Sequence, residues 1–424
     1  MRIAAVLCIF AAAAAANQNF EFRVDAPAEI VADLTLSSPG ADWASEGREA
    51  AVARVVADNH PEQYVTVYAG PEQHTYSVFL GKFDAGRHKL RIERDTQLSA
   101  KGAGLEIGKV EFRTATPGEP NFAVFAHAPV LFARQDTIGR FTDIPLLMYC
   151  ERLNENGRPY LQYTIIFSNE DGGTSTRALM ARWGRTTDIE YVYKAFLNDD
   201  GTLIRGTIQA KDHEEIEFRG KFFGTHPLLT VSTINNMVSD AEPTNVRYQL
   251  VPVDADLSNR TRESVMDEHP ITWSVMAKEL IREQKLRPYG TVEGQKISDP
   301  RNYLYVDVKA AFQSARLKLI ARRQGDHWMA TSDLGQLEYA VGRDGWFRTT
   351  LELPPGTIPE TIEEIGVECL VAPVPPGKPL PEGGLCKVDQ IAAFMLDEEY
   401  RPRPVLMESK PAIEIRTGSI LLLR

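Results

Sequence analysis

The chain has 424 residues, 43% hydrophobic and 25% charged, a composition that buries a core and excludes a disordered polypeptide. Its 47 Lys and Arg against 58 Asp and Glu leave a formal charge of −11, and the basic residues at 282–287 and 316–323 alternate with apolar ones. No basic stripe runs along the sequence to meet a phosphate backbone, so neither nucleic acid nor an anionic membrane surface is an expected partner.

Residues 1–16 read as a secretory signal: Met1-Arg2, an apolar run to Phe10, then alanines ending Ala14-Ala15-Ala16 before Asn17. The run is too short to span a bilayer, so cleavage after Ala16 is expected, with no integral membrane segment left behind. Leu7 before Cys8 fits a lipoprotein cleavage site poorly. The expected compartment is the periplasm or the exterior.

Residues 17–115 alternate polar and apolar side chains in short runs, among them 64–68, 76–83, 88–92 and 105–112, with Asp84-Ala85-Gly86 as a turn. A two-residue period at this spacing predicts an N-terminal antiparallel β-sandwich. The helix-like patch at 47–58 reads as a loop insertion or a strand. The turn-rich TATPGEP at 114–120 marks a boundary.

A central β-rich domain is expected over 121–287. Its near-continuous apolar runs at 122–132 and 160–167 suit strands buried on both faces. Asn154-Glu155-Asn156-Gly157 and Asn198-Asp199-Asp200-Gly201 read as hairpin turns. One long helix is predicted, at 272–286, where Trp273, Met276, Ala277, Leu280 and Ile281 repeat with helical period between His269-Pro270 and Arg287-Pro288. It is expected to lie on the sheet of the central domain.

A second sandwich-like domain is expected over 303–400, followed by a tail at 401–424 that forms an edge strand or a loose end. Cys369 and Cys386 bracket a Pro/Gly-rich loop and suit a local disulfide in an oxidising compartment, worth about 3 kcal/mol in the chain-entropy picture. Cys150 sits in an apolar run and reads as a buried, inert thiol. The fold class is thus mainly β: a multi-domain antiparallel β-sandwich architecture with one notable helix.

His127 to Phe132 (HAPVLF), Asp143-Ile144-Pro145-Leu146, the run at 160–167, and Thr187-Asp188-Ile189-Glu190 follow the order of elements in proteins similar to vacuolar protein sorting-associated protein 62. The resemblance covers residues 125–250. It implies a β-rich fold, and Ile189 stands where that family carries an aromatic residue.

The densest chemistry lies in 163–193, YTIIFSNEDGGTSTRALMARWGRTTDIEYVY. Asn169, Glu170 and Asp171 lead into two glycines, and Asp188 and Glu190, two apart, share one face of a strand. Such oxygens suit Ca²⁺, and paired carboxylates suit glycosidic acid/base chemistry with Arg185 as a third member. The spacing is not that of an EF-hand, no cofactor is otherwise expected, and the simpler reading is a hairpin turn with structural ion pairs to Arg182 and Arg185. Arg182 and Trp183 offer a guanidinium fork and a stacking face for an anionic sugar or phosphate, with Tyr191 and Tyr193 as further ligand-facing rings. His127, His213 and His226 are isolated and read as structural. Ser168 and Ser232 lack a nucleophile elbow.

Three function classes follow: a secreted β-rich protein that binds carbohydrate or another cell-envelope ligand without catalysis, a polysaccharide-active hydrolase or lyase using Asp188, Glu190 and Arg185, and an envelope scaffold. The absence of a strong catalytic motif ranks binding first.

Overall fold

The computed structural model describes residues 17–423 apart from 171, 375–376, 378, 380–382 and 410–411. The expected signal segment, residues 1–16, lies outside them. The chain forms two compact units. The first holds residues up to Gly172 and Thr187–Asp256, and the second holds Gly173–Thr186 and Leu257–Arg424. The architecture is mainly β and largely antiparallel.

In the first unit, a four-stranded sheet runs in the order Asn17–Val24, Gly86–Arg94, Val52–Ala57 and Gln63–Thr66, and a three-stranded sheet runs His74–Phe83, Ala28–Ser37 and Glu106–Ala115. The helix-like patch near residue 50 is therefore a strand. Alternation decides which side chains meet between the sheets. Phe22 of the first sheet stacks on Phe112 of the second at 4.6 Å and meets Phe83 edge-on at 5.3 Å.

The same unit carries a six-stranded sheet in the order Glu215–Glu217, Leu203–Gln209, Asp188–Leu197, Arg158–Phe167, Pro145–Glu155 and Val253–Asp254. A smaller mixed sheet is built on His226–Val231 and Val130–Phe132, which pair in parallel. The turns at 154–157 and 198–201 join neighbouring antiparallel strands, as their Asn-Gly and Asp-Gly chemistry dictates. One apolar core joins Ile165, Tyr163, Val192 and Ile208 to Leu131, Leu229 and Val31. Phe79 carries this core back to the N-terminal strands, with its ring 5.6 Å from that of Phe125.

Two expectations change here. The apolar run at 122–132 is not one strand: Phe122–Ala126 is a helical turn (α1) ahead of the strand Val130–Phe132. The β-prone stretch 213–223, expected as one strand, keeps only Glu215–Glu217 and Phe222–Phe223, and Asp212 and His213 at its start take left-handed backbone, which no ladder uses.

The second unit is a two-sheet sandwich. One sheet runs Gly345–Glu352, Tyr303–Gln313, Leu385–Leu396 and Pro402–Ser409, and the other runs Ala330–Thr331, Ala315–Arg323, Ile362–Val371 and Ile420–Leu422. Leu304, Val306 and Val308 face Leu317, Leu319 and Val367 in the core between them. The Cys369–Cys386 disulfide, with Cα atoms 5.9 Å apart, ties a strand of one sheet to a strand of the other. The tail adds strands to both sheets.

Helices of this unit are α2 (Thr176–Trp183), α3 (Ser264–Glu268) and α4 (Ile271–Arg282). The long helix is four residues shorter at its end than its apolar period suggests, because Gln284 turns to φ 54°. Its Trp273 meets Tyr305 at 5.0 Å and Phe394 at 6.2 Å, so it packs on the C-terminal sheet of its own unit. No helix among the described residues is long and apolar enough to cross a membrane.

Candidate functional site

The strands Arg158–Phe167 and Asp188–Leu197 pair antiparallel, with Phe167, Ile166 and Ile165 opposite Asp188, Ile189 and Glu190. Between them the chain does not make the hairpin expected from SNEDGGT. It leaves the first unit at Gly172, forms α2 in the second, and returns at Thr187. Ser175 caps the helix through the Ala178 N–H, and Gly184 ends it at φ 62°. A Ser cap, a run of good helix formers and a closing glycine were the sequence signals for it.

This excursion divides the candidate residues. Asp188, Glu190, Asn169, Glu170, Tyr191 and Tyr193 belong to the first unit, while Arg182, Trp183 and Arg185 belong to the second. Asp171 lies outside the described residues.

Asp188 is 1% exposed and Glu190 9%. Asp188 Oδ2 accepts from Asn236 Nδ2 at 3.0 Å, and Glu190 Oε2 accepts from Gln209 Nε2 at 2.8 Å. Gln209 Nε2 also lies 2.7 Å from His213 Nδ1, which links the buried carboxylate to an exposed imidazole. Asn169 does not serve its own turn. Its Oδ1 accepts from the Asp143 N–H at 2.9 Å, and its Nδ2 donates to Thr142 Oγ1 at 3.0 Å, fastening a distant loop. Asn236 and Gln209 are the partners that sequence reading missed, since each comes from a separate strand or turn with no local motif.

Arg185 is buried, with Nε 3.5 Å from Glu263 Oε1. Arg185 therefore belongs to the second unit with Glu263, while Asp188 and Glu190 belong to the first with Asn236 and Gln209. Among the described residues, no group of three or more His, Cys, Asp or Glu side chains converges as a metal ion would require. Tyr193 is fully buried, so its ring is not offered to solvent as the sequence reading expected. Cys150 is a free, buried thiol whose ionisation burial pushes up.

The opposite face of this sheet is more open. Tyr160 and Phe196 stack at 5.1 Å, and the Lys194 ammonium stands 4.8 Å from the Tyr191 ring centroid and 5.7 Å from that of Tyr160. Glu215 gathers the group: Lys194 Nζ pairs with its Oε2 at 2.6 Å, Tyr191 Oη donates to the same oxygen at 3.3 Å, and Thr207 Oγ1 donates to Oε1 at 2.8 Å. Partial burial alone would raise the Glu215 carboxyl, but the Lys194 and Thr207 bonds hold it below its usual value. Gln162 and Glu151 bond to each other beside it at 3.2 Å. Tyr160 and Gln162 lie two apart in one strand, opposite Phe196 and Lys194, which lie two apart in the next, and that alternation was the signal available in the sequence; Tyr191 joins them only across a register shift between Tyr163 and Thr164.

No family model matches the chain, and no curated protein does. Solved structures with partial likeness include NLPPya in complex with mannosamine, at 9% identity over 38% of this chain and 80% of that one, with TM-score 0.25. Alpha toxin from Clostridium absonum gives 14% identity, 40% and 44% coverage and TM-score 0.21. A ruminal GH26 endo-beta-1,4-mannanase gives 11% identity, 34% and 28% coverage and TM-score 0.19. Likeness at this level carries no argument about this chain.

Proposed function

We propose that this is an exported β-rich protein that binds carbohydrate of the cell envelope or its surroundings, through the Tyr160, Tyr191, Lys194 and Glu215 face of the six-stranded sheet. The observation that carries the reading is the cluster of partly exposed rings held by one ammonium and one carboxylate. A tyrosine ring offers an apolar surface to the C–H face of a sugar, while its hydroxyl and the flanking Glu, Gln and Lys groups satisfy sugar hydroxyls. The buried Asp188 and Glu190, each held by an amide, favour a structural role over acid/base chemistry on a ring. The cavity lined by Val52, Leu98, Ile138, Phe141 and Tyr248, elsewhere in this unit, is about 20 Å³, room for a water and not for a sugar. An exported location fits the Cys369–Cys386 disulfide.

The test is affinity electrophoresis of the mature protein in gels containing neutral polysaccharides such as dextran and mannan, beside Tyr160→Ala and Tyr191→Ala. Retardation of the wild type that each substitution weakens about tenfold, equivalent to about 1.4 kcal/mol, supports the reading. Lack of retardation in every gel, or retardation equal in all three proteins, rejects it.

A further inference from the structure

Basic residues that lie scattered in the sequence come together on the second unit. Arg177 and Arg182 belong to α2, Arg316 to the strand Ala315–Arg323, and Arg343 follows the bridge between Leu317 and Val341. Arg182 Nη2 and Arg316 Nη1 both donate to the Glu338 carbonyl at 3.3 Å, and Arg343 donates to the Arg182 carbonyl. Arg177 donates to the Leu334 carbonyl, while its Nε is buried without an acceptor. Aromatic rings stand among them. The Arg182 guanidinium lies 5.4 Å from the Tyr339 centroid and that of Arg343 lies 5.4 Å from the half-buried Trp183.

Other arginines of this unit sit on carboxylates: Arg287 on Glu352, Arg301 on Asp299, Arg322 on Glu364 and Arg401 on Asp397. Among the described residues, none of the four clustered arginines makes an ion pair; their bonds go to neutral carbonyls. Glu263 is near enough to stabilise the Arg343 charge, but it is already shared by Arg185 at 3.5 Å and Arg262 at 3.4 Å. Burial, with Arg262, Arg185 and Arg182 adding repulsion, pulls Arg343 down to about 10. In a protein of charge −11, such a concentration of guanidinium groups without ion pairs is the place where an outside anion gains most from charge-assisted bonds.

We propose that this patch is a second binding site, selective for an acidic glycan, whose carboxylate or sulfate groups meet the forks of Arg182, Arg316 and Arg343 and whose ring lies on Trp183. The charges are spread across several elements and are not focused on one point by backbone N–H groups. That arrangement suits a polymer with repeated charges better than a single phosphate. The site goes beyond the tyrosine face of the first unit and does not depend on it.

The experiment is binding of the mature protein to polygalacturonate, dextran sulfate, neutral dextran and inorganic phosphate, followed by titration calorimetry at low and high salt. Arg316→Gln and Arg182→Gln are compared with wild type, and thermal melts check that both fold. Arg316 makes one long carbonyl bond and is the safer of the two. We expect a polyanion to bind with an affinity that falls with salt and that each variant weakens about tenfold, as loss of a charge-assisted bond does. Failure of both polyanions to bind at low salt, equal binding by the folded variants, or binding of phosphate alone overturns the site. Loss of neutral-dextran binding in Tyr191→Ala, with the polyanion results intact, separates the two sites.

Discussion

Arg348 and Asp267 form a two-pronged pair inside the second unit: Nη1 donates to Oδ1 at 3.0 Å and Nη2 to Oδ2 at 2.5 Å. The other edge of the same guanidinium serves Asp307, with Nε 2.7 Å from Oδ1. The Arg348 side chain is wholly buried, so removing it strands two carboxylates beside the core. Arg348→Met is expected to lose about 3–5 kcal/mol in urea unfolding. A loss below about 1 kcal/mol would show that water or rearrangement satisfies Asp267 and Asp307.

The same cluster makes stability depend on pH. Burial pushes the Asp267 carboxyl up to about 6, against the pull of Arg348 and with Asp307 adding repulsion. Its folded value lies above the unfolded 3.8, so the folded state holds this proton more tightly. The contribution is present in full below pH 3.8 and is lost as pH rises through about 6. Urea midpoints of wild type should therefore fall between pH 4 and 7 relative to those of Asp267→Asn. Parallel profiles for the two proteins would reject the assignment.

His88 gives the first unit a second titration. Its Nδ1 lies 2.7 Å from Asp58 Oδ2 and its Nε2 lies 2.9 Å from the Asp84 carbonyl, so both nitrogens are placed to donate, as only imidazolium can. Burial alone would lower its pKa, but these two acceptors hold it above 6.5. The stability it contributes is complete below 6.5 and is lost as pH rises through the raised folded value. Melting temperatures should fall more from pH 6 to pH 9 in wild type than in His88→Gln, and equal falls would count against the pair.

Gly184 is needed where α2 ends. Its φ is 62°, and an added Cβ would lie 2.6 Å from Arg348 Cγ. Gly184→Ala combines left-handed strain with a clash against a fully buried side chain and should cost at least about 1 kcal/mol. Gly173 also has positive φ, 81°, but meets nothing within 4 Å, so Gly173→Ala should cost less. Chemical denaturation of the two variants gives the order directly.

Asp188→Ala should destabilise the first unit by about 1–3 kcal/mol, because Asn236 Nδ2 loses a buried acceptor. The same variant should keep its neutral-glycan binding if the tyrosine face is the site. Binding lost without loss of stability would return Asp188 to a ligand-facing role.

Much of the fold was legible from local chemistry. Two-residue alternation located most strands, Asn-Gly and Asp-Gly placed the turns at 154–157 and 198–201, and loop length with compartment paired Cys369 with Cys386. The candidate site was legible only in part. The sequence could place Asp188 and Glu190 two residues apart, but not supply Asn236 and Gln209 as their partners.

The stretch 163–193 marks the division most clearly. By itself the sequence determined that residues 160–167 form a strand and that Asp188 and Glu190 lie on another, because side-chain period and β propensity act between neighbours in the chain. Only the tertiary structure decided that the segment between them becomes a helix of the other unit, that both carboxylates are covered, and that Arg316 and Arg343 join Arg182. Burial and charge neutralisation depend on which distant elements close over a face, and no local spacing encodes them.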